Sequence, residues 1–432
     1  MQKIDTKPLS GFMELTPSDQ LEFDRIKDVI RDEHVKRGFQ PIDTPLIYRS
    51  DVLLAKAGGE TEKQIYRFEK GDNDLSLRFD LTVPMARYVV DKQSDLSFPF
   101  KVSQIAKSYR GERAQFGRFR EFYQCDADVI GRGELDISYD AEVVALIDAV
   151  YKRLDFGKFT IRISNRKMIG GFIDELGVSD RASEILAIID RAAKITPEEF
   201  EAQMLGLGLG EENSKRLKDL IGLTGSNAEI LASLDKLGIK NEAYVQGLGE
   251  LKTVIELLAQ MGVKDSAQID LMIVRGLDYY TGTVFETTIN GREREVGSVA
   301  SGGRYDDLAS NYSSENFPGV GMSIGLTRLF AALKEAKIVG VVKNTTVNVL
   351  ILPFGKSELA YSYQLADKLR LTGQSVDVLS QDMKFGKKMA YANRIGVKKV
   401  IVIGENEVKT GQVKIKDMET GEEFALDECE DS

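Results

Sequence analysis

The stretch from Lys107 to Gly131 concentrates side chains that could bind a charged ligand around a turn at Gly117. The charged residues nearest that turn are Arg110, Glu112, Arg113, Arg118 and Arg120. Gln124, Asp126 and Asp128 follow at intervals of two, which puts them on one face of a strand. Guanidinium groups at one end and carboxylates at the other suit a ligand with separated phosphate and cationic groups. The alternative is a charged hairpin whose arginines and acids pair with each other.

The elements that would position these groups follow from the pattern on either side of the turn. Apolar and polar residues alternate there, which predicts two antiparallel strands joined by a mobile loop, with the first strand ending on Arg110. A second cluster lies in LSLRFDLTVPMARYV, where residues 75–79 alternate like a strand and Thr82 is expected to cap a helix. Asp80 and Thr82 therefore fall at a strand-to-helix corner, where Asp80 either binds a ligand or only supports the cap.

The composition narrows the possible chemistry. The chain has one histidine, His34, and two cysteines, Cys125 and Cys429. These three residues cannot supply the usual ligands of a zinc site. A Ser-His-Asp or Cys-His mechanism would have to use His34. The chemistry must then rest on arginine, carboxylate, amide and phenol groups, with magnesium as the candidate metal. The widely separated cysteines indicate a reducing compartment.

Length and charge describe an ordinary water-soluble protein. With 432 residues the chain can form two or three domains, and its net charge of −10 argues against non-specific coating of nucleic acid. No apolar run reaches membrane-spanning length and the N-terminus has no apolar signal core, so we expect a cytoplasmic protein that does not associate with membranes.

Further along the chain, residues 167–263 have apolar residues at helical spacing, which predicts a helical insertion. GLGLG at 206–210 has no preceding strand and no following Lys-Ser/Thr, so it is interpreted as a turn between helices rather than a phosphate loop. Two strands are then expected around RGLDYY at 275–280, where the paired tyrosines could also be core residues. From 346 onward the pattern predicts alternating strands and helices. A run of cations without an intervening acid is either a solvated face or a basic patch for nucleic acid; it consists of Lys384, Lys387, Lys388, Arg394, Lys398 and Lys399.

These motifs together carry a resemblance to a known family. YRGER followed by GRFREFYQCDAD resembles motif 2 of the class II aminoacyl-tRNA synthetases, and FREFYQCDADVIG resembles their histidyl branch. RGLDYYTGTVFE and SGGRYDDL resemble the two histidine-binding peptides of that branch, and PGVGMSIGLTRLF resembles motif 3. Two departures are Tyr48, where an acid is usual in motif 1, and Thr327, where motif 3 usually has Glu.

The resemblance implies an α/β fold with an α+β catalytic domain: an antiparallel sheet flanked by helices, a helical insertion and a C-terminal α/β anticodon-binding domain. The expected domains are 1–166 and 264–335 (catalytic), 167–263 (insertion) and 346–432 (anticodon-binding). It implies activation of L-histidine by ATP with magnesium, transfer of the histidyl group to tRNA(His), and a homodimer.

The resemblance also implies roles for individual residues. Arg275 and Arg110 are expected to act in catalysis at the α-phosphate. The residues expected to bind ATP are Arg110, Glu112, Arg113 and Arg328. Those expected to bind histidine are Asp80, Thr82, Gln124, Asp128, Arg275, Tyr279, Tyr280 and Tyr305. Those expected to bind tRNA are Arg118, Arg120, Lys384, Lys387 and Lys388. No residue is expected to bind metal.

Two other functions remain compatible with such a chain. One is a synthetase-like regulatory subunit of ATP phosphoribosyltransferase, a class that lacks the anticodon domain and has eroded motifs. The other is a tRNA-binding scaffold that has lost catalysis. The intact RGLDYY and SGGRYDD peptides and the retained arginines favour the enzyme.

Overall fold

A computed structural model of the chain describes residues 4–54, 62–192, 195–274, 280–339 and 345–426. The chain divides into two units, one of Met1–Met13 with Ile26–Val339 and one of Glu14–Arg25 with Gly340–Ser432. Within the described ranges, no helix combines the length and the apolar character needed to cross a membrane.

The first unit is organised around a mixed sheet of eight strands. They are β1 (Gln40–Pro41), β5 (Phe100–Tyr109), β6 (Glu121–Ile130), β7 (Phe159–Asn165), β8 (Ala267–Ile269), β9 (Thr283–Ile289), β10 (Ala300–Tyr305) and β11 (Gly319–Gly325). Their spatial order is β1-β5-β6-β11-β10-β9-β7-β8. A smaller sheet has the order β2-β4-β3 and consists of β2 (Ile47–Arg49), β3 (Arg67–Lys70) and β4 (Asn73–Leu77).

The pairing in the large sheet is antiparallel from β5 through to β7, and only its two outermost pairs are parallel. The central strands β6 and β11 are buried along most of their length, because helices cover the sheet. This confirms the predicted antiparallel sheet flanked by helices. It also brings the hairpin strand β6 directly against β11, whose sequence lies almost two hundred residues later.

The helices of the first unit flank the two sheets or form the helical segment that follows β7. They are α1 (Pro17–Lys36, whose first half belongs to the second unit), α2 (Ser50–Leu54), α3 (Thr82–Lys92), α4 (Ser138–Leu154), α5 (Arg166–Glu175), α6 (Ala182–Ile189), α7 (Pro197–Gly206), α8 (Glu211–Ile221), α9 (Asn227–Lys236), α10 (Glu242–Gln260), α11 (Glu293–Val296) and α12 (Leu326–Glu335).

The segment predicted as a helical insertion is helical in the structure, from α5 to α10. Capping boxes at Thr196 and Ser226 fix the starts of α7 and α9, where each hydroxyl accepts from the amide three residues on. The GLGLG stretch joins α7 to α8, and its middle glycine, Gly208, has a φ of +90°. It is a turn between helices, as the sequence indicates.

The second unit contains a five-stranded sheet of order β13-β12-β14-β15-β16. Its elements are β12 (Val349–Pro353), α13 (Leu359–Leu371), β13 (Val376–Val378), α14 (Phe385–Ile395), β14 (Lys399–Ile403), α15 (Glu405–Thr410), β15 (Lys414–Asp417) and β16 (Glu423–Ala425). The first three strands in this order are parallel, with a separate apolar cluster on each face. Two antiparallel strands follow them, which the sequence analysis did not predict.

Candidate active site

The hairpin of β5 and β6 forms the centre of the candidate site. The two strands pair without a break from Phe100 opposite Ile130 to Tyr109 opposite Glu121. Beyond them, Gln115 and Arg118 exchange two backbone hydrogen bonds of 3.2 and 2.9 Å around Phe116 and Gly117. Gly117 has a φ of +73°, a conformation that glycine adopts without strain. The turn therefore lies where the sequence predicts it, although the first strand ends at Tyr109 rather than at Arg110.

Arg328, on α12, connects the tip of this hairpin to the segment just before β10. Its Nε donates to the carbonyl of Gly117 at 2.6 Å, and its Nη1 donates to the carbonyl of Ser298 at 2.7 Å. Burial lowers the pKa of this guanidinium, and the nearby cations Arg118 and Arg110 lower it further. Three guanidinium groups thus come together at this end of the hairpin, an arrangement that suits a bound anion.

The other arginines of the hairpin are held by backbone and acid groups. Arg110 donates from Nε to the carbonyl of Phe79 at 3.0 Å, and its guanidinium lies 5.2 Å from the ring centroid of Phe122. Arg118 approaches Glu112 at 3.5 Å. Arg120 donates to the carbonyl of Glu112 at 2.9 Å. The alternative that the hairpin's arginines and acids pair with each other therefore applies to Arg118 and Glu112. Arg113 is exposed to solvent.

The opposite end of β6 carries the carboxylates. Asp126 and Asp128 are 2% and 3% exposed, so both acids are held out of water. Burial raises the pKa of Asp126 well above its ordinary value, and the charges of Asp128 and Asp80 raise it further. Burial likewise raises the pKa of Asp128 to about 7, against the hydrogen bond from Tyr305. Buried acids of this kind favour a ligand that brings positive charge or hydrogen-bond donors.

Two glycines of β11, Gly319 and Gly321, leave room for the side chains of Tyr305 and Asp128. The hydroxyl of Tyr305 donates to Oδ1 of Asp128 at 2.8 Å. A Cβ added at Gly321 would lie 1.8 Å from that same oxygen, and one at Gly319 would lie 2.3 Å from Cε2 of Tyr305. This role of the glycines in PGVG is not visible in the sequence, because it depends on the register between β6 and β11.

At the strand-to-helix corner, Asp80 is buried and its Oδ1 accepts from the amide of Val83 at 3.1 Å. The helix begins at Thr82 with no side-chain cap at the preceding Leu81, so the expectation that Thr82 caps it is wrong, and Asp80 supplies that contact instead. Nearby on β6, Gln124 donates from Nε2 to the hydroxyl of Ser323 at 3.1 Å.

Of the RGLDYY peptide, only Tyr280 lies within the described residues, since Arg275 and Tyr279 fall outside them. Tyr280 is half-buried and packs against the same apolar cluster as Tyr305. A Cβ at Gly303 would lie 2.9 Å from its ring. The structure thus brings Tyr280, Tyr305 and Asp128 into one neighbourhood from three separate segments.

Two polar residues that the sequence did not assign to the site, Thr327 and Arg304, support it. Thr327, the motif 3 departure, accepts from the amide of Tyr123 at 2.8 Å and so fastens the start of α12 to β6. Arg304, in SGGRYDD, forms a buried ion pair with Asp140 at 2.8 Å. Asp126, which the two-residue spacing predicts on the same strand face as Asp128, is also buried.

The predicted lysines of the second unit have different surroundings. Lys384 and Lys387 are exposed. Lys388 is 3% exposed, and its Nζ donates to the carbonyl of Pro353 at 2.6 Å. This burial contradicts the prediction that Lys388 contacts tRNA, because its ammonium is used inside the domain. Adjacent helical positions point about 100° apart, so Lys387 and Lys388 cannot share one face.

Among the described residues, no group of three or more His, Cys, Asp or Glu side chains could hold a metal ion.

Comparison with known proteins gives a consistent result over both units. The family model of histidyl-tRNA synthetase matches residues 11–329, and that of an anticodon binding domain matches residues 348–430. The chain is 49% identical to a histidine–tRNA ligase of Clostridium tetani over 99% of this chain and 98% of that protein. It resembles the crystal structure of histidyl-tRNA synthetase from Nostoc sp. PCC 7120, with a TM-score of 0.89, 35% identity and coverage of 98% and 97% of the two chains.

A more distant likeness is to a structure titled as an ATP phosphoribosyltransferase regulatory subunit/histidyl-tRNA synthetase from Bacillus halodurans C. Its TM-score is 0.77 at 24% identity, with coverage of 90% of this chain and 97% of that one, which shows a shared fold alone. The match of the family model to most of the chain, together with relatives of nearly equal length, is decisive. This chain belongs to the histidyl-tRNA synthetase family.

Proposed function

We propose that this chain is a histidine–tRNA ligase, which uses ATP to activate L-histidine and then transfers the histidyl group to the 3′ end of tRNA(His). The observation that carries the proposal is the polarity of β6 and its surroundings. A cluster of guanidinium groups from Arg110, Arg118 and Arg328 lies at one end, and the buried acids Asp126 and Asp128 lie at the other. Histidyl-adenylate has the same separation, with phosphate at one end and an imidazole at the other.

In the first step, a carboxylate oxygen of histidine attacks the α-phosphorus of ATP, and the bond to pyrophosphate breaks. This reaction needs in-line positioning and neutralisation of charge at phosphorus more than it needs proton transfer. Arg110 and Arg275 would flank the α-phosphate, with Arg275 assigned through the family motif. The contact of Arg110 with the carbonyl of Phe79 supports a fixed orientation of its guanidinium.

Arg328 and Arg113 would hold the distal phosphates, and Glu112 would accept from the adenine amino group. Arg328 is the better supported of the two cations, because two carbonyl contacts orient its guanidinium. The guanidinium is also buried near other arginines, so a bound anion would stabilise its charge. Magnesium would be carried by the ATP phosphates and would neutralise part of their charge.

The histidine end would use the buried acids and phenols. Asp80, Thr82 and Gln124 would hold the α-ammonium and carboxylate, while Asp128 and Tyr280 would bond the two imidazole nitrogens. Tyr305 and Tyr279 would wall the ring, and the bond from Tyr305 to Asp128 orients the acid. A pocket that pairs both ring nitrogens leaves buried groups unpaired with another amino acid, which can reject it by about 10⁴-fold.

In the second step, a ribose hydroxyl of the tRNA attacks the carbonyl carbon of the adenylate, and AMP leaves. Arg118 and Arg120 on the hairpin, with Lys384 and Lys387 on the second unit, are proposed to contact the tRNA. Residues 167–263 would lean over the acceptor arm and 346–432 would bind the anticodon. A cytoplasmic homodimer is the proposed form of the enzyme, with motif 1 at the interface.

Histidine-dependent ATP–pyrophosphate exchange tests the proposal, with the other nineteen amino acids as controls and charging of tRNA as the second readout. We expect exchange with histidine alone, followed by charging. Binding of histidine without exchange would instead support the regulatory-subunit alternative. Exchange without charging would mean that the protein forms the adenylate but does not transfer the histidyl group to the tested tRNA.

A further inference from the structure

Two phenylalanine rings stack on each other at the surface of the second unit. Phe354 and Phe385 have ring centroids 5.0 Å apart and an interplanar angle of 11°. They are nevertheless 57% and 39% exposed. Burying such side chains normally stabilises a fold, so a stacked pair left in water is an unusual use of aromatic surface.

The pair lies at the carboxyl edge of the parallel strands, where ligands of such sheets commonly bind. Phe354 follows the last residue of β12, and its amide donates to the carbonyl of Ile403 at the end of β14. Phe385 opens α14. A Cβ at Gly404 would lie 3.3 Å from Cδ2 of Phe354, so this glycine leaves room for the ring.

The charge around the rings favours a polyanion. Lys356 lies two residues after Phe354, and Lys384 and Lys387 bracket Phe385; all three are exposed. Three glutamates lie at the starts of the neighbouring helices, and each has a partner: Glu405 pairs with Lys409, and the other two accept from backbone amides. Glu358 accepts from the amide of Gly355 at 2.7 Å, and Glu407 accepts from that of Gly404 at 2.8 Å. Asp382 is the exposed acid of the loop before α14.

We infer that Phe354 and Phe385 form a stacking platform for an unpaired RNA base, with Lys356, Lys384 and Lys387 contacting the flanking phosphates. Exposed aromatic rings combined with cations are the features by which proteins bind single-stranded nucleic acid, because every base has a face that can stack. The inference rests on the proposed function, under which the RNA is the anticodon loop of the tRNA substrate. It specifies a part of the domain that contacts the loop and how it does so.

The test uses the full chain with Phe354→Leu, Phe385→Leu and the double variant, which keep apolar bulk and remove the aromatic faces. Phe424→Leu is the matched control, because Phe424 is 41% exposed on β16 of the same sheet. Each variant is assayed for histidine-dependent exchange, for KM of tRNA in charging, and for binding of a tRNA transcript with 2-aminopurine in the anticodon loop. A transcript with 2-aminopurine in an unpaired position outside that loop is the second control.

We expect the double variant to raise KM for tRNA about tenfold, in the lower part of the range that base–aromatic stacking supplies. Exchange should stay at the wild-type level, and the quenching of 2-aminopurine in the loop should be lost. Phe424→Leu should change none of these. The variant Lys384→Gln/Lys387→Gln should weaken binding of the transcript and reduce its dependence on salt.

An unchanged KM and unchanged quenching in the double variant would overturn the inference, whatever the exchange activity. A changed sedimentation coefficient with unchanged quenching would overturn it too, since the rings would then contact a second copy of the chain. Failure of wild-type exchange would instead contradict the proposed function, while the fluorescence measurement would still decide whether the rings stack on a base.

Discussion

The hydroxyl of Tyr305 on β10 donates to Oδ1 of Asp128 on β6 at 2.8 Å, although β11 lies between these two strands in the sheet. The contact crosses β11 at Gly319 and Gly321, where any side chain would collide with Tyr305 or with the acid. Two residues from distant motifs therefore act as one unit, and both are almost fully buried.

Tyr305→Phe removes this hydroxyl and keeps the ring. We expect KM for histidine in the exchange reaction to rise about tenfold, because a hydrogen bond to a charged group contributes about 1.5–3 kcal/mol. KM for ATP should stay unchanged. Tyr312→Phe is a suitable control, since its hydroxyl bonds the carbonyl of Val52 instead. An equal rise of KM in both variants would mean that Tyr305 acts only through packing.

Asp128 should also make stability depend on pH. Its folded pKa of about 7 is raised by burial above that of the unfolded chain, so between those values the folded protein holds a proton that the unfolded chain has lost. Stability attributable to this acid therefore falls as pH rises toward 7 and stays low above it. Asp128→Asn should be more stable than wild type at pH 8, and the difference should shrink toward pH 5.

Urea unfolding at several pH values without substrates measures this effect. Asp95→Asn, at an exposed position, controls for the loss of one negative charge. A difference between Asp128→Asn and wild type that is independent of pH would contradict the assigned ionisation. The same substitution should impair histidine activation, so the acid would be retained at a cost in stability.

Some of these features could be predicted from the sequence and others could not. The β5–β6 hairpin follows from alternation and a local turn, and its motifs lie in one continuous stretch. The burial of Lys388 depends on the direction of one helical residue relative to β12. The contact made by Thr327 depends on the register of β11 and β6, which the sequence does not show. The pairing of these strands ends at Gly325 opposite Gln124, and the Thr327 hydroxyl then accepts a hydrogen bond from the amide of Tyr123.

Arg328 provides a prediction for the phosphate end. Its two carbonyl contacts, with Gly117 and Ser298, need the branched guanidinium. We expect Arg328→Met to lower kcat/KM for ATP in exchange by about 10²-fold, the scale of one lost preorganised contact. Arg328→Lys should recover only part of this, because one ammonium cannot reach both carbonyls and a phosphate. KM for histidine should change little.

Arg120→Lys is the control for that experiment, because Arg120 lies in the same hairpin but donates to the carbonyls of Glu112 and Ser10. Exchange requires no tRNA, so a role of Arg120 in tRNA binding would not affect it. Full recovery of ATP use by Arg328→Lys would show that charge alone matters and that the two carbonyl contacts do not.

His34 allows an unusually direct measurement, because the chain has no other histidine. Its Nδ1 lies 2.7 Å from the hydroxyl of Ser103. Burial lowers the pKa of the imidazole to about 4, against the charge of Glu33. As pH falls below the ordinary value, the unfolded chain gains a proton that the folded protein does not, so stability falls in this range.

In substrate-free protein labelled with ¹⁵N-histidine, the single imidazole should therefore show constant ring shifts from pH 8 to about pH 5.5, well above its lowered folded pKa. Free labelled histidine added at the end of the series provides the reference titration. A midpoint near the ordinary value for the protein signal would contradict the burial of this side chain.

The ion pair of Arg304 and Asp140 separates a structural role from a binding role within the SGGRYDD peptide. Arg304 donates to both oxygens of Asp140 and to the carbonyls of Leu135 and Asp136, and the pair is buried. Arg304→Met should cost about 3–5 kcal/mol of the free energy of unfolding, because it leaves Asp140 buried without its cation. The double variant Arg304→Met/Asp140→Leu should recover much of that loss, since two apolar side chains then replace the pair. Urea unfolding measures both values, and exchange assays on the folded fraction should give a KM for histidine near that of wild type. A large rise in this KM for the stabilised double variant would place Arg304 among the residues that bind histidine.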